Sequence, residues 1–319
     1  MLLKIDPIST LNLAIVITTK DRPEKIVNLL QSIANQKQAI QRVLIIDGGQ
    51  SIESLVNQFA KTLPIEYYVC APPGQIRQRI MALSLLDSST SLVALFDDDV
   101  VLEPNALSAI FAFWSKCPAE TAGVAFNFTN IPAHQHSLIK KIMGISSPKL
   151  GEVLTSGYNI PITSISENIE SQWLPGGATV WRQDILLSYK QLEVSTKWAP
   201  CEDLIFSYPI GKCYKLFVCA CARVRHEHPY EHTSSKKNRS YGYTETIWRF
   251  LFVQKNDDLR TSYFLWMLFC IVIARFAKGI FFLQPKHLYF ALGQLFALKL
   301  IIKVILRNQE IAEFLEEKY

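Results

Sequence analysis

The sequence lacks the glycine motifs that mark two large classes of nucleotide-binding enzyme. No G-x-G-x-x-G follows the first predicted strand, and G-x-x-x-x-G-K-[ST] does not occur in the 319 residues. The first absence argues against a dinucleotide-dependent oxidoreductase. The second leaves a P-loop enzyme without support.

Disulfide and export signals are also missing. The seven cysteines are an odd number without framework spacing, which is typical of a protein in a reducing cytosol. Residues 1–7 lack the long apolar core of a signal peptide and lead directly into the first predicted strand. We therefore do not expect export.

Acidic residues are absent from Thr261 to Gln309, a segment that holds six Lys and Arg residues. Subtracting these six charges from the formal net charge of +5 leaves −1 for the rest of the chain. The rest of the chain is therefore not basic, and its charge does not indicate a nucleic-acid partner. The unbroken apolar run from Tyr263 to Ala274 has twelve residues, whereas a membrane span needs about 20.

We expect this segment to form two helices that divide at Gln284-Pro285. Basic residues recur every four positions at 299, 303 and 307, which predicts one positive stripe on an otherwise apolar helix. Such helices lie in the interface of an anionic membrane. True spanning, a helical lid and a dimer interface are the alternatives.

Four apolar runs, each followed by a break and a helical pattern, predict the fold class of the first half of the chain. The alternation is typical of an α/β protein with a Rossmann-like, mostly parallel sheet flanked by helices. Ligands of such sheets bind beyond the carboxyl ends of the strands. The four predicted strands are residues 13–18, 43–46, 65–70 and 92–96.

Three consecutive carboxylates, Asp97, Asp98 and Asp99, end the fourth of these strands. Like charges this close need a positive partner, and carboxylate oxygens are the ligands that Mg²⁺ and Mn²⁺ seek. A site for a metal and a diphosphate is the functional interpretation. The alternative is a solvated turn into a helix that we predict from Pro104 to Lys116.

A second acidic pair, Glu202 and Asp203, opens a predicted helix. Capping of that helix accounts for the pair, because the helix dipole stabilises negative charge at this end. A general base at the mouth of an apolar cleft is the functional alternative.

The last predicted core strand, residues 216–224, leads to His226, which we expect to be a further ligand of the metal at the triplet. A Cys/His zinc site is the alternative, but the spacing matches no standard zinc pattern. Its candidate ligands are Cys201, Cys213, Cys219, Cys221, His226, His228 and His232.

In their order along the chain, these residues resemble the motifs of the family 2 glycosyltransferases over about residues 11 to 230. The matching positions are Thr18, Thr19 and Asp21 after the first strand, Asp47-Gly48-Gly49 after the second, Gly74 and Arg79 before the fourth, Asp97 to Asp99, Gly176 to Arg182, Glu202-Asp203 and His226. The chain departs from the family where Gly48 replaces the second acid of the commoner motif and Ile80 replaces Asn.

The resemblance implies a GT-A fold and the following roles. Asp99 and His226 would hold Mg²⁺ or Mn²⁺, while Asp97 or Asp98 would contact ribose or share the metal. Asp203 would be the base, with Glu202 beside it. The nucleotide sugar would contact Thr18, Thr19, Asp21 and Asp47, and the acceptor side would include Gly176 and Gly177. Arg77 or Arg79 would add charge near the phosphates, unless both are solvated helix residues.

We therefore expect a metal-dependent, inverting transfer of a sugar from a nucleotide-diphosphate sugar to a hydroxyl of a glycan or lipid-linked acceptor. A single addition is favoured, because the Q-x-x-R-W motif of processive polysaccharide synthases is missing. A nucleotidyltransferase and an inert membrane-bound binding protein are the alternatives.

The predicted organisation has three parts on the cytoplasmic face of a membrane. Residues 1–235 form the catalytic domain, residues 236–260 a linker or helical connection, and residues 261–319 the membrane-associated helices. An irregular insert, residues 129–170, is expected to select the acceptor. Polysaccharide synthesis for the cell envelope is the expected process.

Overall fold

The computed structural model describes residue 8 and residues 10–189, 199–227 and 234–316. For residues 315 and 316 it describes the backbone alone. It contains two compact units. The first unit comprises Met1–Ala133, Ile162–Glu193 and Phe206–His228, and the second comprises His134–Pro161, Val194–Ile205 and Pro229–Tyr319. His228 and His232, named as zinc candidates, lie outside the described residues.

One sheet forms the centre of the first unit. Its strands are β1 Leu13–Thr19, β2 Arg42–Asp47, β3 Ile65–Val69, β4 Leu92–Asp97, β5 Val100–Leu102, β6 Thr121–Phe128, β7 Ile169–Ser171, β8 Ala178–Arg182 and β9 Lys215–His226. The order is β3-β2-β1-β4-β8-β6-β9-β5, with β7 paired to β9. Strands β1 to β4 are parallel, as predicted, and β8 is antiparallel to both β4 and β6.

The first three helices follow the first three strands, as the alternating pattern predicts. The helices are α1 Pro23–Ala34, α2 Glu53–Val56, α3 Gln75–Ser84, α4 Ala106–Trp114, α5 Leu138–Ile142, α6 Gln183–Ser188, α7 Glu202–Gly211, α8 Ser235–Gln254, α9 Thr261–Phe281, α10 Pro285–Arg307 and α11 Glu313–Glu316. A 3-10 turn, Asn57–Phe59, continues α2.

Strand register brings the polar strand ends to one edge of the sheet. All seven residues of β1 are buried, and burial of apolar strands drives the formation of such a core. Thr18 of β1 lies opposite Asp97 of β4, and Thr19 lies opposite Asp47 of β2. The buried Gln78 amide donates to the carbonyls of Thr19 and Ile46 at 2.8 and 2.7 Å, which holds β1 and β2 together at this edge.

The segment after the acidic triplet differs from the prediction. Residues Val100 to Leu102 form strand β5, which pairs with β9, and α4 begins only at Ala106. A three-residue strand has no periodicity of its own, and its partner lies more than 120 positions away along the chain. The local sequence therefore could not reveal it.

The second unit is built mainly from helices. Helix α9 ends at Phe281 and α10 begins at Pro285, which confirms the predicted division. Helix α10 packs against α8 at two glycines, since a side chain at Gly242 would collide with the Phe290 carbonyl and one at Gly293 with the Arg239 carbonyl. By length and composition, α9 and α10 are the two helices among the described residues that could cross a membrane.

Candidate active site

Asp97, the first residue of the triplet, is held by a buried arginine. Arg79 Nη2 of α3 lies 2.9 Å from Asp97 Oδ1, and the Gln75 amide donates to the same oxygen at 3.0 Å. Arg79 also lies 3.4 Å from the Gly176 carbonyl, and Asp97 N donates to the Gly177 carbonyl at 3.0 Å. The predicted acceptor-side glycines therefore lie beside Asp97.

Asp98 points into the sheet edge and is buried. Thr19 Oγ1 donates to Asp98 Oδ2 at 2.8 Å, and Arg22 Nη1 donates to Asp98 Oδ1 at 3.0 Å. Burial raises the pKa of Asp98 above its ordinary value, although Thr19 and Arg22 act in the opposite direction. A further positive charge at this edge would favour the ionised form of Asp98.

Asp99 meets His226 across the ladder of β5 and β9. Residue Val100 pairs with His226 in that ladder, and His226 Nε2 lies 3.0 Å from Asp99 Oδ1. The Asn130 side chain braces the histidine backbone from both sides, accepting from its N–H at 2.9 Å and donating to its carbonyl at 2.8 Å. The imidazole is nearly perpendicular to the Phe128 ring, and the two ring centroids lie 5.7 Å apart.

Asp99 Oδ1 and His226 Nε2 lie at the distance of a direct ion pair or hydrogen bond, and both atoms are also of a type that binds divalent cations. Ligands about 2.1 Å from an octahedral ion at right angles to each other lie roughly 3 Å apart, which is the separation of these two atoms. No cluster of three or more His, Cys, Asp or Glu side chains able to hold a metal occurs among the described residues. Mg²⁺ commonly has one or two protein ligands, because waters and substrate phosphates complete the shell.

The end of β2 forms the other part of the predicted nucleotide side. Asp47 is buried and accepts from Tyr67 Oη at 2.6 Å and from Gly49 N at 2.8 Å. Asp21 has a left-handed backbone, with φ of 54°, and accepts from Gln50 N at 3.0 Å. A side chain at Gly49 would collide with Asp21, so this turn requires glycine.

The two arginines predicted near the phosphates have different surroundings. Arg79 is buried and bonded to Asp97, whereas Arg77 is half-buried and donates to the Pro72 carbonyl at 3.3 Å. Thr18 is buried beside Thr19 at the end of β1. The structure thus brings Arg79 to Asp97, a carboxylate of the triplet.

Glu202 and Asp203 open helix α7, as predicted, and belong to the second unit. Asp203 Oδ1 accepts from Leu204 N at 2.8 Å. On α8 of the same unit, burial opposes protonation of Arg249, yet neighbouring groups that include Asp203 raise the pKa of this guanidinium above its ordinary value. Asp203 thus has a cation among its electrostatic neighbours.

Sequence reasoning missed Arg22 and Gln78. Arg22 follows the polar turn after β1 and immediately precedes Pro23, a position that is typical of an ordinary helix start. Gln78 lies between Arg77 and Arg79 on α3, and the sequence pattern did not show which face of this helix is buried. The sequence did contain a signal for Arg22. This cation lies three residues after the end of β1, and the neighbouring strand β4 ends in three carboxylates.

A sequence profile and several solved structures are similar to this chain. The sequence profile described as glycosyl transferase family 2 matches residues 14–163 of the chain. This match covers the strands that carry Thr19, Asp47 and the acidic triplet, together with the segment that contains α5. No curated protein matches the chain in sequence.

Several solved structures share the fold at low sequence identity. TarS 1-349 of S. aureus is 12% identical with a TM-score of 0.52, over 94% of this chain and 92% of that one. The mannosyltransferase PcManGT from Pyrobaculum calidifontis, in complex with GDP-Man and Mn²⁺, is 12% identical with a TM-score of 0.56, over 93% and 89%. GalNAc-T7 with UDP, GalNAc and Mn²⁺ is 14% identical with a TM-score of 0.58, over 95% and 59%. The predicted GT-A fold is confirmed.

Proposed function

Since this chain is a glycosyltransferase whose residues 14–163 belong to glycosyl transferase family 2, we propose that it transfers a sugar from a nucleotide-diphosphate sugar to a hydroxyl. The acceptor is a glycan or a lipid-linked molecule, and the anomeric configuration inverts. The observation that carries this proposal is the pair of Asp99 and His226, 3.0 Å apart beside two further carboxylates at the sheet edge.

Asp99 and His226 would hold Mg²⁺ or Mn²⁺, with waters and substrate phosphates in the other ligand positions. Asp97 or Asp98 would contact ribose or share the metal. When bound, such a cation supplies Lewis-acid stabilisation of the negative charge that develops on the departing diphosphate. Two of the structurally similar proteins were solved with Mn²⁺, which supports this choice of ion.

The donor would lie along the carboxyl ends of β1, β2 and β4, where ligands of such sheets bind. Thr18, Thr19, Asp21 and Asp47 would contact the nucleoside. Asp97, which lies 2.9 Å from Arg79, would contact ribose or the metal. Arg77 is the more accessible candidate for the phosphates, because it is only half-buried.

Asp203 would accept the proton of the acceptor hydroxyl, and Glu202 would lie beside it at the start of α7. The acceptor oxygen forms a bond to the anomeric carbon as the bond from that carbon to the diphosphate oxygen breaks. The electron pair of the broken bond leaves with the diphosphate. Attack from the face opposite the leaving group inverts the anomeric centre.

Helices α9 and α10 would attach the enzyme to the cytoplasmic face of an anionic membrane. Attachment within the interface is favoured over spanning, because α10 packs through Gly293 against α8. Helix α8 carries Lys236, Lys237, Arg239 and Glu245. A spanning α10 would carry these charges toward the hydrocarbon, where each is costly.

Replacement of Asp203 tests the proposed base. We expect Asp203→Asn to lower the rate of sugar transfer by about 10²- to 10⁴-fold, the usual contribution of general acid–base catalysis, with donor affinity unchanged. Transfer is measured as product per enzyme, and donor binding by calorimetry. The matched control is Glu53→Gln, an exposed acid in the first turn of α2. Near wild-type turnover by Asp203→Asn would reject this base.

A further inference from the structure

Helix α5 exposes an apolar face that the second unit does not cover. Leu138, Ile139 and Ile142 are 71%, 73% and 62% exposed. Lys140 and Lys141 lie between them in sequence and are also exposed. A five-residue helix with three exposed large aliphatic side chains is costly in water, because apolar surface is driven out of water.

This face continues onto helix α9. Trp266 Nε1 donates to the Ile142 carbonyl at 2.9 Å, which joins the end of α5 to α9. Apart from Phe281, its last residue, the exposed aromatic and large aliphatic residues of α9 recur at intervals of three, four or seven positions and therefore form one stripe along the helix. They are Tyr263, Trp266, Phe269, Ile273 and Ile280.

The charges within the two segments that contain these helices have one sign. Residues 134–151 and 261–309 contain nine Lys and Arg residues and no Asp or Glu. All nine except Arg275 are exposed. Removing them from the total of 33 leaves 24 basic residues against 28 acidic ones in the rest of the chain. The excess positive charge therefore belongs to the two segments that also carry the exposed apolar residues.

We propose that α5 and the exposed stripe of α9 form one binding surface for a bilayer of anionic lipid. The surface is defined by Leu138, Ile139, Ile142, Tyr263 and Trp266, with Lys140 and Lys141 on α5. This inference rests on the proposed membrane attachment and extends it from the C-terminal helices to α5. Helix α5 lies within residues 14–163, the part of the chain that matches the glycosyltransferase family.

The chemistry of the surface favours lipid over a second copy of this chain. A two-fold dimer places the same patch against itself, so the lysines of each copy would face those of the other. An anionic bilayer instead attracts them, because its negative surface potential favours Lys and Arg near the surface. Trp and Tyr are the side chains that concentrate at the membrane interface, and Trp266 and Tyr263 are both exposed.

The test uses the full chain and vesicles of phosphatidylcholine with or without phosphatidylglycerol. Binding is measured by co-sedimentation for wild type and for Leu138→Gln/Ile139→Gln/Ile142→Gln. We expect the triple substitution to weaken binding to the anionic vesicles by about tenfold or more. The matched control is Val69→Gln/Leu187→Gln, two exposed apolar residues of the first unit.

A charge variant separates lipid electrostatics from apolar burial. We expect Lys140→Gln/Lys141→Gln to weaken binding to anionic vesicles by about tenfold while binding to phosphatidylcholine alone is unchanged. Brominated lipid should quench wild-type tryptophan fluorescence more than that of Trp266→Phe.

Two results would overturn the proposal. One is unchanged vesicle binding by the triple α5 variant. The other is a lipid-free dimer that the triple variant converts to a monomer, with no vesicle binding by wild type. Release of nucleoside diphosphate in the absence of acceptor is followed in parallel and should be unaffected by the α5 substitutions, because this release needs no acceptor. If wild type binds vesicles but transfers no sugar, the proposed sugar transfer is rejected and the proposed lipid-binding surface is supported.

Discussion

Arg22 contacts two of the three carboxylates of the triplet. Its guanidinium lies 3.0 Å from Asp98 and 3.4 Å from Asp99, and its side chain is 53% exposed. The Asp99 carboxylate therefore has Arg22 on one oxygen and His226 on the other. A divalent cation at Asp99 must compete with this guanidinium, because both need the same negative charge.

Substitution of Arg22 should tighten metal binding when no nucleotide is present. We expect Arg22→Gln to lower the Kd for Mn²⁺ by about three- to tenfold, since a half-exposed ion pair contributes modestly. The Kd is measured from the free Mn²⁺ signal in electron paramagnetic resonance. Arg42→Gln, which removes an arginine paired with Glu66 at 2.6 Å, is the control and should leave the Kd unchanged. Weaker Mn²⁺ binding by Arg22→Gln would show that Arg22 supports the site instead.

Among single residues, the sequence predicted those whose residue type and spacing indicate a chemical role. It missed those whose role depends on contacts with residues that are remote in sequence. Asp97, Asp98 and Asp99 could be found because three adjacent carboxylates at the end of an apolar strand repel one another unless a cation lies nearby. Gln78 could not be found, because its function in the fold is to bond two carbonyls of other strands. The roles of the predicted site residues in binding and catalysis stay predictions.

Among the elements, the short ladder of β5 and β9 decides where His226 lies. The three paired positions place Val100 opposite His226, and Glu227 N donates to the Asp99 carbonyl at 2.7 Å. The parallel strands β1 to β4 could be predicted, because each is a continuous apolar run followed by a helix. Strand β5 could not, because three residues carry no period and their partner strand is remote in sequence.

The close contact between α8 and α10 requires glycine at residue 293. A Cβ there would meet the Arg239 carbonyl and lie 2.8 Å from Tyr243 N. In an exposed helix, Gly→Ala stabilises by about 1 kcal/mol. We expect Gly293→Ala to lower the free energy of unfolding by about 1–3 kcal/mol, because overpacking forces the helices apart.

Chemical unfolding of the purified protein measures this effect. Gly74→Ala is the control, because a Cβ at Gly74 makes only an ordinary contact at 3.8 Å with Arg77. An unchanged or higher unfolding free energy for Gly293→Ala would contradict the close packing of α8 and α10.

The predicted site residues belong to both units, whereas the excess positive charge belongs to the second unit. The triplet, Arg79 and His226 belong to the first unit, whereas Glu202 and Asp203 belong to the second. The positive charge of the chain is concentrated in two segments of the second unit, 134–151 and 261–309. Net charge could be located from the sequence alone, but the joining of α5 to α9 through Trp266 required the structure.

The central claim is that the Asp99 and His226 pair supports metal-dependent release of nucleoside diphosphate from a nucleotide sugar. The most direct measurement is the rate of this release from a panel of nucleotide sugars with Mn²⁺, with chelator, and with chelator followed by excess Mn²⁺. We predict that wild type releases diphosphate from at least one donor only when Mn²⁺ is present, and that Asp99→Asn lowers this rate by about 10²-fold or more. Undiminished release by wild type in chelator, or by Asp99→Asn in Mn²⁺, would contradict the account.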